Sequence, residues 1–68
     1  MTRLKFERQH RQLSQHAVAT FAHIPQPVIS QIERGRLKPS EAQLQRLSDV
    51  FGVPPADLLT EVTVLGAR

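Results

Sequence analysis

The sequence of 68 residues contains no cysteine, tryptophan or tyrosine. Without cysteine, neither a disulfide framework nor a cysteine-ligated zinc site can hold the fold together. No apolar run approaches the ~20 residues that cross a bilayer. The beginning of the chain also lacks the continuous apolar segment of a secretory signal. These absences predict a soluble, cytoplasmic protein with one hydrophobic core and no membrane contact.

Groups that carry enzyme chemistry are also sparse. The three histidines, His10, His16 and His23, are spread over two predicted helices and a turn. There is no glycine-rich phosphate loop, and no nucleophile has a matching base. The sequence therefore predicts no enzyme activity, no metal site and no cofactor.

Positive charge is concentrated in the first half of the chain. Residues 1–38 carry seven Lys or Arg against two acids, a balance of +5, whereas residues 39–68 carry a balance of −2. Clustered positive charge attracts polyanions such as nucleic acid. An unevenly charged, solvated surface is the alternative interpretation of the same pattern.

Helix-capping and helix-breaking residues divide the chain into short helices. Thr2, Ser14 and Ser40 are suitable N-caps, and Gly35 and Gly52 are suitable ends. The predicted helices cover residues 2–12, 15–22, 26–34 and 41–51, and a short fifth one begins at Pro55. No segment before the tail alternates with the period of a strand. The predicted fold is all-α, a compact bundle of about five short helices.

Helices this short are marginal in isolation, so a common core must hold them. The apolar residues that fall on their inner faces and in the connecting segments are Leu4, Leu13, Val18, Ile24, Ile29, Ile32, Leu44, Leu47, Phe51, Val53 and Leu58.

The second and third helices are joined by a tight break at residues 23–25, which is typical of a helix-turn-helix. Ile29 and Ile32 fall on the inner face of the third helix, with Glu33 beside them. The outer face carries Pro27, Ser30, Gln31 and Arg34.

The outer face of the third helix has the chemistry that reads base edges. A glutamine amide pairs with adenine through two hydrogen bonds, so Gln26 and Gln31 are candidate base readers. Ser30 can bond to either kind of base edge, and Pro27 or Val28 can contact a thymine methyl group. A solvated polar face is the alternative interpretation.

Phosphate contacts are predicted at two places. The start of the second helix offers backbone N–H groups around Gln15 and His16, the Gln15 amide and the Ser14 hydroxyl. A second anchor is predicted beyond the third helix, at Arg36, Lys38 and Ser40.

The motifs 13–15 (LSQ), 18–19 (VA), 24–36 (IPQPVISQIERGR) and 38–40 (KPS), with Leu44, Leu47 and 51–53 (FGV), resemble the phage repressor/Cro-type (XRE-like) helix-turn-helix family. The resemblance covers about residues 3–59. It implies a lambda-repressor-like fold of five helices, with the third in the major groove of double-stranded DNA. It also implies two subunits on a dyad-symmetric operator. The positions at which it implies base or phosphate contacts are Gln15, Gln26, Pro27, Ser30, Gln31 and Arg34.

The same resemblance implies a partly buried, structural ion pair between Arg8 and Glu33, which excludes Arg8 from DNA contact. Three positions depart from the family pattern. His23 stands where a glycine is usual, Pro25 where Ser or Thr often caps the third helix, and Glu7 where an apolar residue is frequent.

The predicted organisation is a helix-turn-helix domain over residues 1–60 and a tail over residues 61–68. The alternating segment 60–65 predicts an edge strand for dimerisation, with a frayed terminus as the alternative. The predicted function is a sequence-specific, homodimeric transcriptional regulator, a repressor, associated with the nucleoid in the cytoplasm. A free-standing switch, an antitoxin and a restriction-modification controller all fit the sequence. The alternative is a small helical module that acts mainly through a partner protein.

Overall fold

The computed structural model describes residues 1–63. These residues form four α-helices and one short 3₁₀ helix: α1 (Arg3–His10), α2 (Gln15–Ala22), α3 (Gln26–Glu33), α4 (Glu41–Phe51) and the 3₁₀ helix Pro55–Asp57. Within this part of the chain, no helix is long and apolar enough to cross a membrane.

The three predicted N-caps are confirmed. The side chains of Thr2, Ser14 and Ser40 accept hydrogen bonds from backbone N–H groups in the first turns of α1, α2 and α4. At Ser40 the bond is reciprocal, because the Gln43 side chain accepts from the Ser40 backbone N–H at 3.0 Å. Such pairs satisfy helix-end groups that have no intrahelical partner. The local sequence therefore determines where these helices begin.

The helix ends are set by residues with positive φ. Gly35 (φ 73°) and Gly52 (φ 69°) follow α3 and α4 as predicted. Gln12 (φ 57°) and His23 (φ 56°) take the same left-handed conformation after α1 and α2. The helix predicted to reach Gln12 ends two residues earlier, at His10, and the Leu13 N–H donates to the Arg8 carbonyl oxygen at 3.0 Å across the left-handed Gln12.

The prediction of about five helices was one helix too many. The segment at Pro55 makes only a three-residue 3₁₀ helix. The residues that follow it pair with the start of the chain. The carbonyl oxygens of Leu58 and Thr60 accept from the backbone N–H groups of Leu4 and Arg3, both at 2.9 Å.

The core lies between α2, α3 and α4 and is closed by α1 and the 3₁₀ segment. Nine of the eleven predicted core residues are buried, and Leu13 and Leu44 are partly buried against them. Ala19 and Ala22 of α2 complete the core. Burial of this apolar surface supplies the main stabilisation of helices that are too short to persist alone.

The beginning of the tail is paired with the chain's own first residues. Thr2 and Glu61 form an isolated antiparallel bridge, and the Val62 N–H donates to the Met1 carbonyl oxygen at 2.8 Å. The Met1 amino group also forms an ion pair with the Glu61 carboxylate. The last two residues of the predicted edge strand, 64 and 65, lie outside the described residues. Its first part is thus held within the same chain.

Candidate nucleic-acid interface

Helix α3 separates its residues into two faces. Ile29, Ile32 and Glu33 are buried. The predicted base-reading residues lie on the other face: Gln26, Pro27, Gln31 and the following Arg34 are exposed, and Ser30 is half-buried. A helix whose buried side is fixed by the core presents its outer side in a constant orientation.

The turn before α3 differs from a glycine turn but keeps the helix-turn-helix path. His23 adopts the left-handed conformation (φ 56°, ψ 44°), and its neighbour Ile24 donates its N–H to the Ala19 carbonyl oxygen at 3.0 Å. Pro25 provides no side-chain cap for α3. Its carbonyl oxygen instead accepts from the Val28 N–H at 3.0 Å. The backbone alone therefore closes the first turn of α3.

The start of α2 is an exposed, partly organised group of donors. Ser14 is exposed, and its Oγ accepts from the Ala17 N–H at 3.0 Å, so its hydroxyl hydrogen is available to an acceptor. The first N–H groups of a helix, here those of Gln15 and His16, have no intrahelical partner. Together with the helix dipole, they favour an anion.

A buried ion pair joins α1 to the end of α3. Arg8 Nε and Nη2 donate to the two carboxylate oxygens of Glu33 at 2.6 and 3.0 Å. The two side chains are only 12% and 2% exposed. Arg8 Nη1 also donates to the Leu13 carbonyl oxygen at 2.9 Å, which fixes the connection between α1 and α2. Arg8 is therefore turned away from solvent.

Gln15 belongs to the same network. Its Nε2 donates to Glu33 Oε1 at 3.1 Å, and its side chain is half-buried. This bond brings the start of α2 to the end of α3, next to the exposed Arg34. This contact was not predicted from the sequence. A signal was present, because Gln15 lies at i, i+3, i+4 and i+7 with Val18, Ala19 and Ala22 on the inner face of α2.

The second predicted phosphate anchor lies in the segment between α3 and α4. Arg36, Lys38 and Ser40 are all exposed. The Ser40 oxygen and backbone N–H are both used in the cap with Gln43, which leaves its hydroxyl hydrogen as a donor. The charged side chains of Arg36 and Lys38 are thus the main phosphate-binding groups of this predicted anchor.

Not all of the positive charge in the first half of the chain is available at this surface. The arginine salt bridges of the described residues join Arg3 and Arg11 to Glu7, and Arg8 to Glu33. None of them engages Arg34, Arg36 or Lys38, which follow one another at the end of α3 and in the next loop. Of the cations within residues 1–63 that these salt bridges do not engage, three therefore lie at the end of α3 and in the loop after it.

Glu7, at a position where an apolar residue is frequent in the family, is buried between two arginines. Arg3 Nε donates to one carboxylate oxygen at 2.6 Å, and Arg11 Nη1 donates to the other. The hydrogen bond from Arg3, assisted by Arg11, lowers the pKa of Glu7 below 4.5 although burial raises it. Glu7 is consequently a structural anion of α1.

The histidines lie on two helices and in a turn. His10 stacks on Phe6 with ring centroids 5.8 Å apart, His16 lies at the start of α2 and His23 in the turn. Among the described residues, no group of three or more His, Asp or Glu is placed to hold a metal ion.

The geometry agrees with comparisons to known proteins. The family model described as helix-turn-helix matches residues 4–58. A curated relative, the HTH-type transcriptional regulator DdrOP3 of Deinococcus deserti, is 41% identical over 64 residues, which are 94% of this chain and 50% of the relative. The chain thus spans about half the length of the curated relative that it matches. The matched region includes every residue of α1 to α4 except Arg3, and with it the sequence motifs described above. The chain therefore belongs to the XRE-like helix-turn-helix family.

Proposed function

We propose that this chain is a sequence-specific DNA-binding regulator, a repressor, that reads the major groove of a palindromic operator as a homodimer in the cytoplasm. The observation that carries the proposal is the division of α3. Its apolar face is buried, and its polar face lies beside Arg34, Arg36 and Lys38, which no salt bridge within residues 1–63 engages. The name of the relative, a transcriptional regulator, supports the same assignment.

Base reading is assigned to the exposed face of α3. Gln26 and Gln31 are exposed and lie five residues apart, so both ends of the helix carry an amide. Each amide can donate to N7 and accept from N6 of adenine, or make single bonds to other bases. Ser30 and Pro27 lie between them and supply a hydroxyl group and an apolar surface. This set favours a site that contains A·T pairs.

Phosphate contacts are assigned to both sides of α3. The start of α2, with Ser14 and Gln15, provides neutral donors and the positive end of a helix dipole. Arg34, Arg36 and Lys38 provide charges that release counterions when they meet phosphates. Such contacts fix the position of α3 in the groove and make affinity dependent on salt.

The size of the domain supports the proposed homodimer. The chain measures 33 × 23 × 22 Å and contains one recognition helix, α3. Half-sites of a palindromic operator lie roughly 34 Å apart, so two copies of α3 are needed to read both. Sedimentation of the protein with and without operator DNA gives the stoichiometry that this proposal requires.

The proposal is tested by selecting bound sequences from random duplex DNA at two salt concentrations. We expect a palindromic sequence to be enriched, with an affinity that falls steeply as salt rises. The matched control is a Gln26→Ala/Gln31→Ala variant, which keeps the net charge and all buried contacts but loses the enrichment. If the natural protein enriches no sequence, the proposal is wrong.

One observation favours the alternative, a module that acts mainly through a partner protein such as a toxin. Phe21 on α2 is 61% exposed, and aromatic side chains are frequent anchors of protein interfaces. The two functions are separable, because Phe21 is not on the outer face of α3. A Phe21→Ser variant that still represses and binds DNA as the natural protein does would count against the alternative.

A further inference from the structure

We infer that Glu33 is a positioning residue of the phosphate-binding site: it orients the Gln15 amide at the start of α2 before DNA arrives. The inference rests on the proposed DNA-binding function. It gives the buried ion pair a role beyond holding α1 against α3.

The hydrogen-bonding chemistry of the Glu33 carboxylate determines how the Gln15 amide is oriented. A carboxylate paired with an arginine only accepts hydrogen bonds, and the two oxygens of Glu33 accept from Arg8 Nε and Nη2. The amide of Gln15 must therefore turn its NH₂ group towards Glu33. One N–H of this group donates to Glu33 Oε1 at 3.1 Å. The second N–H remains for an outside acceptor, and the amide cannot be reversed without facing one oxygen with another.

The buried pair of Arg8 and Glu33 is a rigid support for Gln15. Glu33 is 2% exposed and Arg8 12% exposed, so the carboxylate that holds Gln15 is itself immobile. Arg8 is fixed in turn by the Leu13 carbonyl oxygen, directly before the Ser14 cap. The hydrogen bonds therefore run from Gln15 to Glu33, from Glu33 to Arg8, and from Arg8 back to the segment where α2 begins. A side chain that is ordered before binding loses less conformational freedom on binding.

The negative charge of Glu33 is balanced by Arg8. A carboxylate beside a phosphate site repels the ligand unless its charge is balanced. Arg8 balances Glu33 through two hydrogen bonds, so the pair presents a hydrogen-bond acceptor to Gln15 without net negative charge. This arrangement explains why a buried acid is compatible with an anion site next to it.

The experiment is a double-mutant cycle on operator affinity. The Arg8→Met/Glu33→Leu variant removes the carboxylate, keeps the net charge and fills similar volume, a replacement that is often tolerated in protein cores. We expect it to weaken operator binding roughly two- to tenfold, the range for immobilising one flexible side chain. The Gln15→Met substitution should then cost much less in this background than in the natural protein.

The coupling between Gln15→Met and the loss of the carboxylate is the readout that a purely structural role does not produce, and the salt dependence of binding is its control. Neither Gln15 nor the balanced pair brings net charge to the DNA, so the slope of log affinity against log salt should be the same in all four proteins. If Gln15→Met costs as much in the substituted background as in the natural protein, the inference is overturned. If the natural protein binds no operator, the proposed function itself has failed, which is a distinguishable result.

A second variant keeps the test valid if the double substitution prevents folding. Glu33→Asp retains the charge that Arg8 requires but withdraws the carboxylate from Gln15 by one methylene group. The cost of Gln15→Met should again be reduced in this background. A cost equal to that in the natural protein contradicts the inference in this arm as well.

Discussion

The guanidinium carbon of Arg11 lies 5.2 Å from the centre of the Phe51 ring, while Arg11 Nη2 donates to the Phe51 carbonyl oxygen at 2.9 Å. The same side chain forms an ion pair with Glu7. Arg11 thus ties the end of α1 to the end of α4, across 40 positions of the sequence. In a chain of this size, one such contact is a substantial part of the total stability.

We expect Arg11→Ala to lower the free energy of unfolding by about 1–2 kcal/mol, because it removes a cation–π contact and a charged hydrogen bond from a partly exposed site. Urea unfolding monitored by circular dichroism measures the change. Arg36→Ala, at an exposed loop position, is the matched control and should change stability by less than about 0.5 kcal/mol. Equal effects of the two substitutions would show that the contact with Phe51 is unimportant.

The pH dependence of stability should reflect Glu7. Hydrogen bonds from Arg3 and Arg11 hold its pKa in the folded protein below 4.5. Because the folded-state pKa is lower than the unfolded one, the contribution of Glu7 is complete above pH 4.5 and is lost as the pH falls through the folded-state value. The relevant window is therefore on the acid side of pH 4.5.

Glu7→Gln isolates this contribution, since the amide imitates the protonated acid. The natural protein should be the more stable of the two at pH 7, and the difference in melting temperature should shrink as the pH approaches 3. All other titrating groups are common to both proteins and cancel in the difference. A difference that stays constant from pH 7 to pH 3 would refute this account of Glu7.

The helix starts and most of the core could be predicted from the sequence, because they depend on local chemistry and periodicity. Ser14 and Ser40 cap helices through bonds to residues three positions away, and the apolar residues of α4 repeat with the period of a helix. The outer and inner faces of α3 followed from the same periodicity. Local rules were therefore sufficient for the position of α3 and for the exposure of Gln26 and Gln31 on its outer face.

The contacts between distant segments could not be predicted in the same way. The bond from Gln15 to Glu33 and the bonds from Arg11 to Phe51 depend on how helices meet. The fifth helix was overestimated in the same way, since the residues after Asp57 pair with the first residues of the chain. Periodicity identifies the inner face of a helix but not the residue that it meets.

The turn residue His23 is expected to carry backbone strain. Its left-handed conformation (φ 56°, ψ 44°) costs a residue with a Cβ atom about 1–2 kcal/mol relative to the right-handed one. His23→Gly should therefore raise the free energy of unfolding by about 0.5–1 kcal/mol, after the greater freedom of glycine in the unfolded chain is subtracted.

Thermal or urea unfolding of two variants separates this effect from loss of the imidazole. His23→Ala removes the ring but keeps the Cβ atom, so it should give no gain in stability. A gain of the same size for alanine and glycine would assign the effect to the ring and not to the backbone.

Under the proposed function, Gln31 and Arg36 should affect DNA binding in different ways. Gln31 is exposed on the outer face of α3, and its loss should cost about 1–3 kcal/mol at the preferred operator while relaxing selectivity at one base pair. Arg36 is exposed beyond the end of α3, and its loss should weaken binding to all sequences alike. It should also reduce the slope of log affinity against log salt by about 1, because one fewer phosphate is neutralised.

Fluorescence anisotropy with the operator and a scrambled duplex at four salt concentrations measures both quantities. Identical behaviour of the two variants would contradict the assignment of base reading to α3 and phosphate binding to the loop.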